Sequence, residues 1–490
     1  MLAASASDDS TAPRESCGLM AVFDVERAAD VIHDGLFAQQ HRGQEGAGMV
    51  VSDGQRLQLH KGPGLVQEVF PGDRLVDLPG RLGIGHVRYS TCGGDRAQNI
   101  QPLLAECADG PWAIAHNGNL TNAAQLRRAY QQSGSIFHTT TDSEVLVHLL
   151  ADPYYRSRIH RVGRALAELQ GAFAFVLLTP DSILAARDPH GFKPLVLGTL
   201  GQGFVVASES CAFRPIGARY LRDIEPGELV TINRDGLASY QFAEPAAHGA
   251  QCVFELVYFA RPDSLVFGHN VHQVRVRYGM RLAQEHPVEA DVVIPIPDSG
   301  MSAAIGYSRA SGIPLDMGFI RNHYIGRTFI MPEAGKRATG ADRKLSVLPE
   351  TVAGRRVVVV DDSIVRGNTA RKRIALLREC GATEVHVRIS CPPTRHPCFY
   401  GIDFATSEEL LAAGRGVEEI RGSIGADSLG YLSEEGLLEP FGAGGPRFCR
   451  ACFNGDYPVP VTDGRGKLAL ESGLTCESSA RAAATRKGAS

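Results

Sequence analysis

Four consecutive valines, Val357 to Val360, run straight into Asp361-Asp362-Ser363-Ile364-Val365-Arg366-Gly367-Asn368-Thr369, and this stretch restricts the fold most tightly. An unbroken β-branched run suits a strand covered on both faces. Ala370 to Cys380 (ARKRIALLREC) has helical spacing with Gly381 as its expected C-cap, and Thr383 to Ser390 (TEVHVRIS) reads as the next strand, so the unit is predicted to be βαβ. The loop bearing Ser363, Arg366, Gly367 and Thr369 then opens a helix, where free backbone N–H groups, the dipole and two hydroxyls favour a dianionic phosphate. Asp361 and Asp362 fall at the carboxyl end of the strand, placed to accept hydrogen bonds from vicinal hydroxyls or to approach a metal. A solvated acidic pair is the plainer reading, but the flanking Gly, Ser and Thr fit a phosphate loop better.

A second loop follows the same plan. Val292 to Pro297 (VVIPIP) reads as a short buried strand ending in Asp298-Ser299-Gly300, followed by a small-residue helix start, Met301 to Gly306. Alone, Asp-Ser-Gly after a strand could be an ordinary turn. Together the two loops resemble those of type I phosphoribosyltransferases, enzymes of 5-phosphoribosyl 1-diphosphate (PRPP). That resemblance implies that the first loop holds the ribose phosphate, that the second wraps the pyrophosphate, and that Ser299, Asp361 and Asp362 lie beside Mg²⁺.

The chain has 490 residues, 44% of them apolar, enough for two or more packed domains. A net charge of −4 argues against a broad nucleic-acid footprint, so any polyanion must be met by local loops. No apolar run approaches a membrane span and no secretory pattern opens the chain, so a cytoplasmic protein is expected. Residues 1–16 read as a disordered or removable leader, and residues 461–490 as a disordered tail.

The amino-terminal half carries different chemistry. Cys17 opens the strand-like run Cys17 to Phe23, where a buried structural thiol would be the default reading. Four polar clusters follow at expected strand ends, three of them with glycines: His41 to Gly48 (HRGQEGAG), Gly85 to Thr91 (GHVRYST), Ala115 to Leu120 (AHNGNL) and, without one, Thr140 to Glu144 (TTDSE). In this order they resemble the class II, N-terminal-nucleophile glutamine amidotransferases over about residues 17–240. The resemblance implies that Cys17 is the nucleophile and that its own α-amine, freed by cleavage after Ser16, is the base. Such an amine titrates near ~8 and is partly neutral at physiological pH. Asn117 and Gly118 would form the oxyanion hole, Arg88 would hold the glutamine α-carboxylate and Asp142 its α-ammonium, pairings that charge-assisted hydrogen bonding favours.

One chain thus joins a glutamine-hydrolysing half to a PRPP-binding half. The combination is similar to the glutamine phosphoribosylpyrophosphate amidotransferase family over residues 17–457, with Tyr258 to Ser264 (YFARPDS), Arg327 to Pro332 (RTFIMP), Pro397 to Asp403 (PCFYGID) and Ala426 to Leu429 (ADSL) in order. The implied fold is an α+β N-terminal-nucleophile (αββα) glutaminase domain over residues 17–245. An α/β type I phosphoribosyltransferase domain with a cluster-binding C-terminal segment is implied over residues 246–460. The implied reaction consumes glutamine, PRPP and water and yields 5-phosphoribosylamine, glutamate and pyrophosphate, the first committed step of purine synthesis. Ammonia would cross between the sites through a dry passage, because bulk water would protonate and dilute it. Tyr89 and Tyr258 match channel-gating positions. The loop from Arg327 to Leu345, with Arg327 and Lys344, matches one that closes over PRPP. Purine nucleotides as feedback inhibitors and a homotetramer or homodimer are also implied, with no nucleic-acid or membrane partner.

Of eleven cysteines, Cys449 and Cys452 form a CxxC. Cys252 and Cys398 fall at the other two positions that cluster-bearing members of the family use for a four-iron four-sulfur (4Fe-4S) centre. Four cysteines suit zinc or such a cluster, spacing does not distinguish them, and the resemblance favours iron. Cys92, Cys107, Cys211, Cys380, Cys391 and Cys476 are expected to be structural thiols. Two positions depart from the family pattern: Ala341-Asp342 replaces Val-Arg, and Ala21 replaces a glycine, which matters only if the backbone there needs positive φ. A PRPP-binding regulator or degenerate paralogue is the alternative these departures keep open.

Overall fold

The computed structural model describes residues 17–72, 75, 77–89, 97–151, 157–322, 345–402, 406–461 and 470. The leader, Arg327, Lys344, Asp342, Cys92, Cys476 and all of the tail but Val461 and Leu470 lie outside the described residues.

Two antiparallel sheets build the amino-terminal half. The first has seven strands in the spatial order Arg219–Asp223, Val196–Leu200, Gly203–Ala207, Gly18–Phe23, Leu82–Arg88, Gly46–Ser52 and Leu57–Pro63. The second has six, in the order Gly236–Gln241, Glu228–Asn233, Ile183–Arg187, Gly171–Leu178, Gly110–Leu120 and Leu103–Cys107. Alternation along each strand divides its side chains between two cores. Leu19, Ala21 and Phe23 enter the layer between the sheets with Ala113, Ala115, Ala174 and Val176. Met20 and Val22 face the helix Ala28–Ala38. On the outer face of the second sheet, Ile114, Phe173 and Phe175 pack with Val145, Leu149 and Val162 from helices Glu144–Leu150 and Arg158–Ala167. The result is the αββα sandwich. Because both faces of each sheet are covered, the strands carry few polar interruptions, and Cys17 leads into the central strand of the first.

Ala21 lies inside a regular strand, paired with Val206 and Ile84, and has no positive φ. Alanine there changes packing in the inter-sheet layer and nothing in the backbone. Thr140 to Glu144, expected at a strand end, instead leads into the helix Glu144–Leu150, because the carbonyl of Asp142 accepts the first helical bond from Val145 N at 3.2 Å.

The carboxy-terminal half centres on a four-stranded parallel sheet, Val292–Pro295, Arg356–Asp361, Glu384–Ile389 and Ser428–Tyr431. Val357 to Val360 are buried on both faces, as four consecutive valines demand. The helix after the first loop is Asn368–Glu379, two residues longer at its start than expected because Gly367, at φ 80°, provides the N-cap. Gly381 takes φ 91° just past its end. The strand from Val292 stops at Pro295 rather than Pro297, since the Ile296 carbonyl is taken by Gly300 N at 2.9 Å and turns the chain into the helix Met301–Ser311.

The halves are tied by buried charge. Arg42, fully enclosed, donates to both oxygens of Glu255 at 3.0 and 2.9 Å and to Glu209, while its Nε reaches the Cys17 carbonyl at 3.2 Å. Glu209 also accepts from Ser264 Oγ at 2.7 Å and Arg261 N at 3.0 Å across the boundary. Burial resists these charges, yet His41 and Arg42 hold Glu209 well below the usual carboxylate range.

Candidate functional site: two centres in one chain

A cavity at the ends of the central strands of the first sheet gathers Cys17, Arg88, Tyr89, Gly118 and Asp142 from four separate stretches of chain. Each is brought by a distinct element. Cys17 precedes the central strand Gly18–Phe23, and Arg88 ends the neighbouring Leu82–Arg88, which pairs Gly18 with Val87. Gly118 belongs to the second sheet, and Asp142 to the loop before the helix Glu144–Leu150. The Cys17 thiol lies 3.7 Å from the Tyr89 carbonyl.

Asp142 is buried and accepts from Leu120 N at 2.9 Å and Thr141 Oγ1 at 3.2 Å. Burial acts to raise its carboxyl, but His116 and these donors outweigh it and hold the group below its ordinary value. It is therefore an anion at neutral pH, fit to meet an ammonium, while Arg88 supplies the opposite charge on the same cavity. Asn117 does not line the cavity; it is buried beside it, and its Nδ2 has no hydrogen-bond partner among the described residues. A buried amide donor without an acceptor is costly and points to a ligand that completes it. Gly118 cannot carry a side chain: at φ 145° an added Cβ would lie 2.0 Å from the Ala172 carbonyl.

The cavity also holds residues that sequence reasoning did not single out. His116 stacks on Phe175 at 4.3 Å, bonds Ser143 Oγ at 3.0 Å through Nδ1, and leaves Nε2 without a hydrogen-bond partner among the described residues. It stood within the quoted AHNGNL cluster, so its neighbours were a signal. Gln101 accepts from His116 N at 2.7 Å, and Asn99 exchanges bonds with Thr140 at 2.8 and 3.0 Å. Nothing local in Asn99-Ile-Gln-Pro102 marks them.

In the second centre the two loops touch. Ser299 Oγ donates to Asp361 Oδ1 at 3.0 Å, and Gly300 packs so closely that an added Cβ would stand 2.2 Å from the Val360 carbonyl. Asp361 also accepts from Arg373 Nη1 at 2.8 Å, a partner the sequence did not disclose. Asp362 is buried, accepts from Ser363 Oγ at 2.5 Å, and is pushed up to about 8 by burial and by Asp361. Arg366 pairs with Glu409 at 2.7 Å, and exposed Asp298 with Arg321 at 2.7 Å. Gly367 and Thr369 open the helix Asn368–Glu379, so the loop ends on its free N–H groups. Tyr258 belongs to the single π-turn Glu255–Phe259, directly after Glu255 of the inter-domain ion network, and packs on the core of this half.

The four cysteines converge from distant segments. Cys252 and Cys449 pair in a two-stranded parallel ladder, Cys398 Sγ accepts from Tyr400 N at 3.4 Å, and Cys452 follows in the short helix Ala451–Asn454. Burial and the neighbouring thiols raise Cys252 to about 12 and push Cys449 and Cys452 higher. Among the described residues no three His, Cys, Asp or Glu side chains are set as ligands of one ion. A cubane, with one thiolate on each iron, spreads its ligands wider than a single tetrahedral ion does.

A model of the glutamine amidotransferase domain matches residues 86–215. The amidophosphoribosyltransferase of Bacillus subtilis is 49% identical over 452 residues, covering 91% of this chain and 95% of that one. The amidophosphoribosyltransferase of Methanothermobacter thermautotrophicus is 46% identical over 91% of this chain and 95% of its own. The solved B. subtilis glutamine PRPP amidotransferase complexed with ADP and GMP superposes with a TM-score of 0.86 at 48% identity, over 91% of this chain and 98% of that one.

Proposed function

This chain belongs to the amidophosphoribosyltransferase family, and from that premise we propose how its residues divide the reaction. Glutamine, PRPP and water give 5-phosphoribosylamine, glutamate and pyrophosphate, at the entry to purine synthesis. The carrying observation is the single cavity that unites Cys17, Arg88, Asp142 and Gly118 beside the unpartnered Asn117 amide. Arg88 and Asp142 fix the two charged ends of glutamine, which leaves its side-chain amide facing Cys17. The thiol attacks that carbonyl and the cysteine α-amine takes its proton, which requires cleavage after Ser16. Asn117 Nδ2 and Gly118 N hold the developing oxyanion.

Ammonia then reaches the anomeric carbon past Tyr89 and Tyr258. The PRPP loop of Ser363, Arg366, Gly367 and Thr369 holds the 5-phosphate, Asp361 and Asp362 take the ribose hydroxyls, and Asp298, Ser299 and Gly300 take the diphosphate. Arg327 and Lys344 belong to the same assignment by resemblance alone. Ser299, Asp361 and Asp362 are the oxygen donors for Mg²⁺, which supplies charge neutralisation to the diphosphate when bound. Cys252, Cys398, Cys449 and Cys452 hold a 4Fe-4S cluster that ties the C-terminal segment to the core. Metal would reverse the upward push on their thiols and add its binding energy to folding. The domain limits 17–245 and 246–460, purine nucleotides as feedback inhibitors, a homo-oligomer and a cytoplasmic location complete the reading. It is supported by the bound ADP and GMP of the B. subtilis relative and by the lack, among the described residues, of a helix long and apolar enough to cross a membrane.

The test is glutamine-dependent formation of 5-phosphoribosylamine by anaerobically prepared protein, with its N-terminus read by mass spectrometry and its iron and zinc measured. Full glutamine turnover by protein that retains Met1 sinks the α-amine mechanism. Zinc without iron sinks the cluster assignment.

A further inference from the structure

Gly118 is held from two directions, and only one belongs to its own domain. Its strand pairs it with Phe173, and the neighbouring Ala172 carbonyl crowds the place of a Cβ. On the other side stands Gly401, some 280 residues away, with φ 99°; a Cβ added there would lie 3.1 Å from the Gly118 carbonyl carbon and 3.3 Å from its Cα. The two backbones are therefore in contact, and a side chain at Gly401 would press on Gly118. The next residue, Asn119, makes the link directional: its Nδ2 donates to the Phe399 carbonyl at 2.8 Å. Asparagine is disfavoured in strands, and this bond gives it a reason to be there.

Phe399 lies between two anchored residues. Cys398 accepts from Tyr400 N, and the Tyr400 ring stacks on Phe192 at 4.4 Å while its hydroxyl donates to the Val459 carbonyl at 2.6 Å and accepts from Val459 N at 3.0 Å. The segment 398–401 is thus fixed to the C-terminal lobe on one face and to the glutaminase half on the other.

We propose that this cysteine-bearing lobe positions the oxyanion-holding segment of the glutaminase, with Asn119 and Gly401 as positioning residues. The inference rests on the assignment of Asn117 and Gly118 to the oxyanion hole made above. Oxyanion donors work only within tenths of an ångström of where charge develops, and a displacement of about 1 Å costs on the order of a hundredfold in rate. The lobe then acts on the transition state of amide hydrolysis and not on the binding of glutamine, whose charged ends are held elsewhere by Arg88 and Asp142. Loss of order in the lobe would silence ammonia production while leaving ammonia use intact.

The experiment uses the full chain carrying Asn119→Ala, the isosteric Asn119→Asp, which fills the same space with no N–H to give, and Gly401→Ala. Expected is a ~10- to 100-fold fall in kcat for glutamine hydrolysis with KM little changed. Synthesis from ammonia and PRPP should be unaltered, which also reports that each variant is folded. The discriminating readout is the aldehyde analogue of glutamine: the Cys17 thiol adds to its carbonyl carbon, the thiol proton passes to the former carbonyl oxygen, and the adduct occupies the oxyanion site. Its affinity should fall by the same factor as kcat/KM, with the affinity for glutamate unchanged. Aldehyde affinity equal to that of the parent, glutamate affinity falling in step, or parallel loss of ammonia-dependent synthesis each overturns the proposal. Asn117→Ala separates the two layers. If it leaves hydrolysis intact, the oxyanion assignment falls and this inference with it; if it abolishes hydrolysis while the Asn119 and Gly401 variants behave as the parent, only this inference falls.

Discussion

In the amino-terminal half, Arg88 and Asp142 are 5% and 3% exposed and face one cavity, whereas in the carboxy-terminal half Asp298 leaves 68% of its side chain in solvent. The difference follows the ligands. Glutamine is small and carries one charge of each sign, so a closed pocket with one fixed charge of each sign can be ready before it arrives. PRPP carries several negative charges. Its acidic loops are already neutralised internally, Asp298 by Arg321 and Asp361 by Arg373 and Ser299, so the substrate must exchange partners with them. On the proposed assignment, one centre is preorganised and the other is completed by its substrate.

Substitutions can break that contrast, starting with the greatest expected effect. Cys17→Ala should lower glutamine-dependent synthesis by at least about a thousandfold and spare synthesis from added ammonia, because the nucleophile serves only the first pocket. Paired assays with glutamine and with ammonium decide it, and equal loss of both would remove the division of labour.

Arg42→Met strikes the boundary between the two. It leaves Glu209 to His41 and Glu255 to Lys193, 3.9 Å away, in the interior, and breaking a buried pair by removing one partner costs about 3–5 kcal/mol. Chemical denaturation should show that loss, with Arg42→Met protein losing both activities together on mild heating. A change under about 1 kcal/mol would mean that the network contributes little.

Asp362→Asn tests the second centre alone. Above about pH 8, where Asp362 is ionised, losing a charged hydrogen-bond acceptor should cost about 1.5–3 kcal/mol in PRPP use, roughly 10- to 100-fold, with basal glutamine hydrolysis spared. The pH dependence has a definite sign. Burial and Asp361 push the Asp362 carboxyl up to about 8, so the folded protein keeps a proton that the unfolded chain releases in the ordinary carboxylate range. Stability should therefore fall as pH rises between that range and about 8 through this group, and the Michaelis constant for PRPP should improve only around pH 8, where the folded protein's carboxylate forms. Asn at 362 should flatten both trends; titration curves parallel to those of the parent would refute the assignment.

The smallest change lies in the sandwich. Ala21→Gly, in a regular strand, should cost about 0.5–1 kcal/mol from backbone entropy and leave both activities in place. A gain in stability would mean that the alanine is strained in the inter-sheet layer.

Much of this was legible in contiguous residues. The valine run, Gly367 and Gly381 announced the strand–loop–helix unit because each element's signal lies within it. The clusters around Arg88, Gly118 and Asp142 named three walls of the cavity at Cys17 for the same reason. Gln101 was silent, since its role depends on facing His116 in the folded sheets, and Arg373 was silent because a helical arginine gives no hint of which carboxylate it reaches.

By itself the chain order of residues determined the strand–loop–helix unit after Val357, the strand that follows Cys17 and a loop chemistry suited to phosphate. All of these depend on local periodicity, capping and turn residues acting over a dozen positions. Only the tertiary structure decided that Arg42 closes on Glu209 and Glu255 and that Asn119 finds the carbonyl of Phe399. Such contacts use backbone acceptors and buried charges from segments hundreds of residues apart, and a partner of that kind leaves no pattern in sequence because every residue owns the same carbonyl.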